Sequence, residues 1–410
     1  MRKERVVVGL DVGTTKVVAL VGNVADGMIE IIGMGKAESH GLDKGVVVDI
    51  GRTISSIRKA LEEAENMADV KISSVYVGIA GKHINSINNS GTVSINRPDR
   101  IITNDDIHRV VETAQAIQLP PASEMIHVIP RQYIVDGQDG ITDPVGMTGT
   151  RLEVDVHIVT GAITAVHNLV RCVEALDIGI EQIVLEPIAS ALAVLSSAEK
   201  ELGVILMDIG GGTTDISVFR GGDIWFSKVI PIAGEHITND ITVGLQTPIE
   251  EAELIKKQAG TALVDSVGED EKIEVATIGG DEKKTVSKKK LAKIIEPRVE
   301  ELLDLAMQEV EDAGYRDLVP AGLVLTGGTS LLDGIAEFAQ QRYGIAVRRG
   351  KIPQGIHGLR DIVESPIYAT SIGLLRYAVE TKDFSKRRYE RKKASLINKL
   401  FSWFNSFFRG

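Results

Sequence analysis

Two stretches of the chain, GLDVGTTKVVALV (9–21) and LMDIGGGTTDISVF (206–219), follow one pattern. Each is an apolar strand, an Asp, a β-branched residue, glycine, a Thr-Thr pair and a second strand. A strand–turn–strand unit repeated at long range predicts two halves of one ancestral domain that face each other. The residue types also suggest a chemistry. Glycines let backbone N–H groups approach an anion with no Cβ in the way, and Thr hydroxyls add donors. An Asp at the end of each strand is an oxygen ligand suited to Mg2+, directly or through its waters. One copy alone is equally well a tight hairpin; two matching copies favour a phosphate clamp. A third glycine cluster, AGLVLTGGTSLLDGI (321–335), adds an apolar strand, a TGGTS loop and a helix with Leu331, Leu332 and Ile335 expected inward. Such a corner suits an anion or nucleotide.

Around these motifs the chain alternates strand-like and helical runs. RVVVGLDVG, KVVALVGNV and SVYVGIAG read as strands and TISSIRKALEEAENMA as an amphipathic helix, which predicts an α/β sheet. Residues 84–163 lack a phosphate loop and read as an inserted α+β subdomain, followed by the helix AITAVHNLVRCVEAL. Residues 229–300 form a second insertion-like block with a helix EEAELIKKQAG and a charged hairpin IEVATIGGDEKKTV. A long helix around 288–314 follows, which Pro297 bends or starts. The stretch 380–393, ETKDFSKRRYERKK, has no apolar period and reads as a solvated linker.

Composition narrows the function. With 410 residues and 43% hydrophobic content, the chain can build several cores. A net charge of −11 argues against nucleic acid as the main ligand. From Lys382 to Arg409, nine Lys/Arg face two Asp/Glu, a local +7 that leaves −18 on the rest. The single cysteine, Cys172, lies in an amphipathic run and is expected to be a buried structural residue, which excludes disulfides and Cys-rich metal sites. The N-terminal residues run into a strand with no signal-peptide pattern, and no stretch approaches the ~18–20 apolar residues of a membrane span. A cytoplasmic protein is expected.

DVGTTK, EPIASALAVL, MDIGGGTTDISVF, VLTGGTSLLDGI and SPIYATSIGLLRY, in that order over 9–377, resemble the five conserved stretches of the actin/Hsp70/sugar-kinase superfamily. Within it the chain most closely resembles the FtsA family of bacterial cell-division proteins. The 84–163 insertion, the shortness of the chain beyond 377 and the charged, greasy tail carry that narrower likeness. The resemblance implies an actin-like ATPase fold: two facing RNase H-like α/β domains with inserted subdomains. The first core domain would comprise 1–83, 164–197 and part of 355–380. The second would comprise 198–228 and 301–354, with 229–300 as its nucleotide-side subdomain. A basic linker (381–393) and a membrane-targeting helix (394–410) would complete the chain.

The resemblance also implies site roles. Asp11 and Asp208 would hold Mg2+ through water. Gly13, Thr14, Thr15 and Lys16 would grip the phosphates of ATP from one side, and Gly210, Gly211, Gly212, Thr213 and Thr214 from the other. Glu186 would orient the attacking water. Gly327, Gly328 and Thr329 would lie beside the adenosine, with Glu253 and Lys256 packing on adenine and ribose. ATP binding would set conformation, with hydrolysis weak or incidental. Implied partners are the C-terminal tail of the tubulin-like protein FtsZ, other copies of the chain, and further division proteins meeting 84–163. Arg298 and the Lys288–Lys290 run are the residues assigned to the FtsZ contact. A kinase or ATPase of the same fold, and an actin-like scaffold for pilus assembly, are the alternatives.

The end of the chain, LINKLFSWFNSFFRG, holds four of the eight Phe and one of the two Trp. On a helical wheel Leu396, Ile397, Leu400, Phe401, Trp403, Phe404, Phe407 and Phe408 share an arc of roughly 160°, and polar residues fill the rest. An aromatic face with a basic flank predicts a helix lying in the interface of an anionic membrane. Each basic residue there adds about 1 kcal/mol.

Overall fold

A computed structural model describes residues 5–25, 27–278, 283–352, 355–359 and 364–389, with backbone only from 382 onward. The predicted halves are two sheets of one design. In the first, the strands Arg5–Val12, Lys16–Ala25 and Met28–Glu38 run as an antiparallel meander. Ser74–Ile79 pairs parallel to the first of these, and Gly179–Leu185 parallel to Ser74–Ile79. The second sheet repeats the plan. Val204–Ile209, Thr214–Arg220 and Asp223–Ile230 form the meander, while Leu323–Thr326 and Val347–Arg349 add in parallel. The first sheet carries one more short strand, Ile356–Gly358, beside Met28–Glu38.

The strands read as near-continuous apolar runs because both faces are covered. Alternate residues of the first strand serve two cores. Val8, Leu10 and Val12 pack with Ile57, Ala60, Leu61 and Ala64 of the helix Ile50–Ala68. Val7 packs on the other side with Ile372, Leu374, Leu375 and Ala378 of the helix Ala369–Tyr389. That second core also takes in Val204, Leu206 and Phe219 of the second sheet and Ala189, Ala191 and Ala193 of the helix Glu186–Val194. Two helices therefore lie between the two sheets as a shared middle layer. The outer face of the second sheet carries Ile205, Met207 and Ile209 against the helices Gly234–Leu245 and Lys288–Asp312. At about 1.5–3 kcal/mol for each large side chain fully buried, these cores supply most of the drive to fold.

The inserted subdomain is a four-stranded antiparallel sheet, Asn85–Ser94, Arg151–Ala162, Ser123–Val135 and Gln138–Ile141 in that order, with the helix Asn104–Gln115 on one face. Thr103 and Asp106 form the capping box of that helix. Its edge strand docks on the edge strand of the second sheet through side chains. Asn88 Nδ2 donates to Trp225 O (3.0 Å), and Ser86 Oγ to Ser227 O (2.8 Å). His157 lies buried between Asn88 Oδ1 (2.8 Å) and Ser227 Oγ (3.0 Å). Arg131 stacks 4.6 Å above the Trp225 ring.

Several expectations need correction. Lys288–Asp312 is one helix with Pro297 at an exposed position in its interior, so the proline does not start it. That helix also runs across position 300. Leu331 is 43% exposed, whereas Leu332 and Ile335 are buried. The TGGTS loop passes through a short 3-10 turn, Gly328–Leu331, before the helix Ile335–Tyr343, and this rotates Leu331 outward. The polar stretch from 380 begins as helix: Ala369–Tyr389 continues through its first ten residues. Cys172 is fully buried, and burial pushes its thiol up to about 11. Among the described residues no helix is long and apolar enough to cross a membrane. The tail residues Leu396, Ile397, Leu400, Phe401, Trp403, Phe404, Phe407 and Phe408 lie outside the described residues.

Candidate nucleotide site

The two sequence repeats become two matching hairpin turns. Gly13 N donates to Lys16 O, and Gly210 N to Thr213 O, both at 3.0 Å. The turns meet tip to tip. A Cβ on Gly211 would lie 2.1 Å from Thr15 Cγ2, and one on Gly212 2.8 Å from Thr14 Cγ2. Only glycine permits that approach. The Gly210–Gly212 loop is held from behind: Gly234 N and Thr329 Oγ1 both reach Gly210 O (3.1 and 2.8 Å), and Glu235 N reaches Gly211 O (2.8 Å). On the other side Thr14 Oγ1 accepts from Gly45 N (3.3 Å). Thr214 is turned away from the tips, its hydroxyl donating to Ile232 O (2.7 Å).

Beneath the turns the strand ends bring Asp11, Asp208 and Asp215 together with Glu186, the first residue of the helix Glu186–Val194. Burial raises the pKa of all four carboxyls. Glu186 is pushed well up by burial and then by Asp11, Asp215 and Asp208; Asp215 is pushed well up by burial, Asp208 and Asp11. Lys16 counters this at Asp11, Asp208 and Glu186. Among the described residues the buried Asp215 Oδ1 has no hydrogen-bond partner. One lysine among four acids leaves the cluster electron-rich, so it fits a divalent cation. Among the described residues no three acidic, His or Cys groups are arranged to ligate a metal directly.

Sequence reasoning missed Asp215, although a signal was present. Aligning the Thr-Thr pairs sets Asp215 opposite Lys16, so the repeat is symmetric in backbone and opposite in charge. It also missed Ser190, Thr370 and Ser371, whose hydroxyls reach Asp208 and Asp11. No periodicity distinguishes such serines and threonines from ordinary helix residues.

Gly327 sits against Asp208, where an added Cβ would be 2.3 Å from Oδ1, and Gly328 and Thr329 begin the following turn. Lys256 lies mostly buried beside this loop, donating to Gly234 O (2.9 Å) and Thr238 Oγ1 (2.8 Å) and pairing with Glu253 (2.6 Å). Burial pushes Lys256 down while Glu253 pulls it back. Burial also opposes the Glu253 carboxylate, but Lys256 and Thr238 hold it below its usual range. Arg298 is held instead by Asp240 (2.6 Å) of the helix Gly234–Leu245 and by Glu301 of its own helix. Lys288 and Lys289 of the basic run are paired with Glu271 (3.0 Å) and Glu269.

A family model described as "Cell division protein FtsA" matches residues 205–373, and one described as "SHS2 domain inserted in FTSA" matches 81–160. A relative from Pseudomonas aeruginosa, the cell division protein FtsA, is 44% identical over 97% of this chain and 97% of its own length. Among solved structures, the chain resembles a PilM-PilN type IV pilus biogenesis complex at a TM-score of 0.66 and 16% identity, covering 91% of this chain and 98% of that one. It resembles MreB5 of Spiroplasma citri bound to ADP at 0.56 and 16%, covering 94% and 98%. These structural likenesses carry the actin-like fold. With the sequence matches spanning nearly its whole length, the chain belongs to the FtsA family of cell-division proteins.

Proposed function

We propose that this cell-division protein binds ATP with Mg2+, self-assembles, and tethers the FtsZ ring to the inner face of the cytoplasmic membrane. The observation that carries the nucleotide part is the pair of glycine-threonine turns in contact above a cluster of four buried acids. A nucleotide-bound MreB5 of the same fold supports it. Gly13 to Lys16 and Gly210 to Thr213 line the place for the phosphates, Thr214 being turned away to Ile232 O, and Asp11 and Asp208 would hold Mg2+ through its water shell. Bound Mg2+ would neutralise phosphate charge. Glu186, at a helix start facing the cluster, would accept a hydrogen bond from the attacking water, and burial with the neighbouring Asp11 raises its pKa and so its basicity. ATP binding that sets conformation, with slow hydrolysis, fits this arrangement better than rapid turnover. ATP titration by calorimetry, with and without Mg2+, tests it; no binding in either condition refutes it.

Membrane attachment rests on the aromatic, basic tail. Trp403→Glu or Phe407→Glu should abolish pelleting with anionic vesicles and leave ATP affinity unchanged; persistent pelleting refutes the anchor. One short helix binds reversibly, and several on one filament bind through avidity. Contact with the FtsZ tail is assigned to the 229–300 block around Arg298. Because Arg298 is paired with Asp240, Arg298→Glu must be compared with Asp240→Ala. The reading expects only the first to weaken FtsZ-tail binding, about tenfold or more. Equal affinity for both variants removes Arg298 from the interface.

A further inference from the structure

The two helices of the middle layer meet the acid cluster through three hydroxyls. Ser190 Oγ, on Glu186–Val194, donates to Asp208 Oδ2 at 2.5 Å. Thr370 Oγ1, near the start of Ala369–Tyr389, is 3.0 Å from Ser190 Oγ and 3.3 Å from the same Asp208 oxygen. Ser371 Oγ is 3.4 Å from Asp11 Oδ2. Among the described residues these are the hydrogen-bond donors of both aspartate side chains. All three are buried, so no bulk water replaces them. The helices that carry them are locked together close by: a Cβ on Gly373 would stand 1.8 Å from Ala189 O. The backbone positions that carry the hydroxyls therefore cannot shift without moving both helices.

We propose that Ser190, Thr370 and Ser371 are positioning residues that orient Asp208 and Asp11 toward the metal–nucleotide, and that they pass the state of the site to the middle-layer helices. This rests on the Mg2+–ATP reading above. A carboxylate with one oxygen pinned by a fixed hydroxyl presents the other in one direction, as outer partners of metal ligands do elsewhere. In Asp208 both pinning groups act on Oδ2, which leaves Oδ1 as the free acceptor. Asp208 is tied to both helices, through Ser190 and Thr370, and Asp11 to one, through Ser371. Drawing the two aspartates together around a shared ion would therefore move helices that both sheets share.

The test uses the full-length protein with ATP as probe, titrated in Mg2+ and in EDTA. Wild type should bind ATP more tightly in Mg2+. Ser190→Ala and Thr370→Val should each reduce that Mg2+-dependent gain about tenfold while leaving affinity in EDTA unchanged, and Thr370→Ser should restore it. Amide exchange in Ala369–Tyr389 should slow on Mg2+–ATP binding in wild type and not in Thr370→Val. A wild-type Mg2+ gain in both variants overturns the proposal, and so does an equal loss of affinity in Mg2+ and EDTA, which marks a merely structural role. A wild type that binds no ATP overturns the nucleotide reading and this inference with it. A wild type with equal affinity in Mg2+ and EDTA overturns this inference alone.

Discussion

Gly211 and Thr15 show how little space separates the two halves of the site. With a Cβ on Gly211 placed 2.1 Å from Thr15 Cγ2 and 2.9 Å from Thr15 Oγ1, a methyl group must displace the Thr15 side chain or part the turns. Gly211→Ala is therefore expected to weaken ATP binding at least tenfold, about 1.4 kcal/mol, with an unchanged far-UV circular dichroism spectrum. Calorimetric titration checks it. The Thr-Thr pairs and their flanking glycines were legible as a repeat, and the structure brings both copies to one place. The fourth acid, Asp215, was printed in the repeat yet unread, because in sequence an Asp after Thr-Thr is one more polar residue. Its meaning comes from Asp11 and Asp208, which stand in other strands.

At the scale of elements, the contact that matters most is the crossing of Glu186–Val194 with Ala369–Tyr389. It exists because Gly373 lets the backbone of one helix touch Ala189 of the other. Gly373→Ala should push the helices apart and cost roughly 3 kcal/mol or more, since the new methyl group meets the Ala189 backbone, which cannot turn aside as a side chain can. Urea unfolding measures this, and a loss under 1 kcal/mol would show that the layer yields easily. The hairpin Lys272–Ala276 with Lys283–Ser287 was readable as a charged turn-forming stretch, whereas the segments of these two helices stood out only as motifs of the family resemblance. Of the two roles expected for Pro297, bending or starting the helix, its interior position removes the second, although a proline often marks a boundary. Here Leu291, Ile295, Val299, Leu302 and Leu303 are all buried, and their packing carries the helix past the missing N–H.

For the whole molecule, besides the turns that meet at the site, the halves are joined through the middle-layer helices and through the docking of the inserted subdomain on Asp223–Ile230. The second joint turns on a neutral imidazole. With Asn88 Oδ1 accepting, His157 Nδ1 is the donor and Nε2 accepts from Ser227. Burial first, then Arg131 and His127, pushes the His157 pKa down to about 3. An unfolded chain binds a proton at this histidine below about pH 6.5 and the native state does not, so stability falls as pH drops through 6.5 toward 3. His157→Gln should flatten that acid slope by up to about 1.4 kcal/mol per pH unit, read from urea unfolding at pH 5 and 7. An unchanged slope would mean that His157 is not tied to folding. Asn88→Ala, which removes the contacts with Trp225 O, Tyr315 and His157, should speed amide exchange in Asn85–Ser94 and leave Lys16–Ala25 unaffected.

What the sequence determined by itself is local and periodic. The duplicated strand–turn–strand unit, the apolar runs, and the amphipathic helices Ile50–Ala68 and Ile163–Glu174 all follow from residue order, because each is set by neighbours a few positions away. The tertiary structure alone decided which distant residues meet. Ser371 reaches Asp11 across 360 positions, Thr370 joins Ser190 at the foot of Asp208, and His157 finds Ser227. Those pairings depend on how two sheets stack over a shared helical layer, and hydrophobic period carries no record of that stacking.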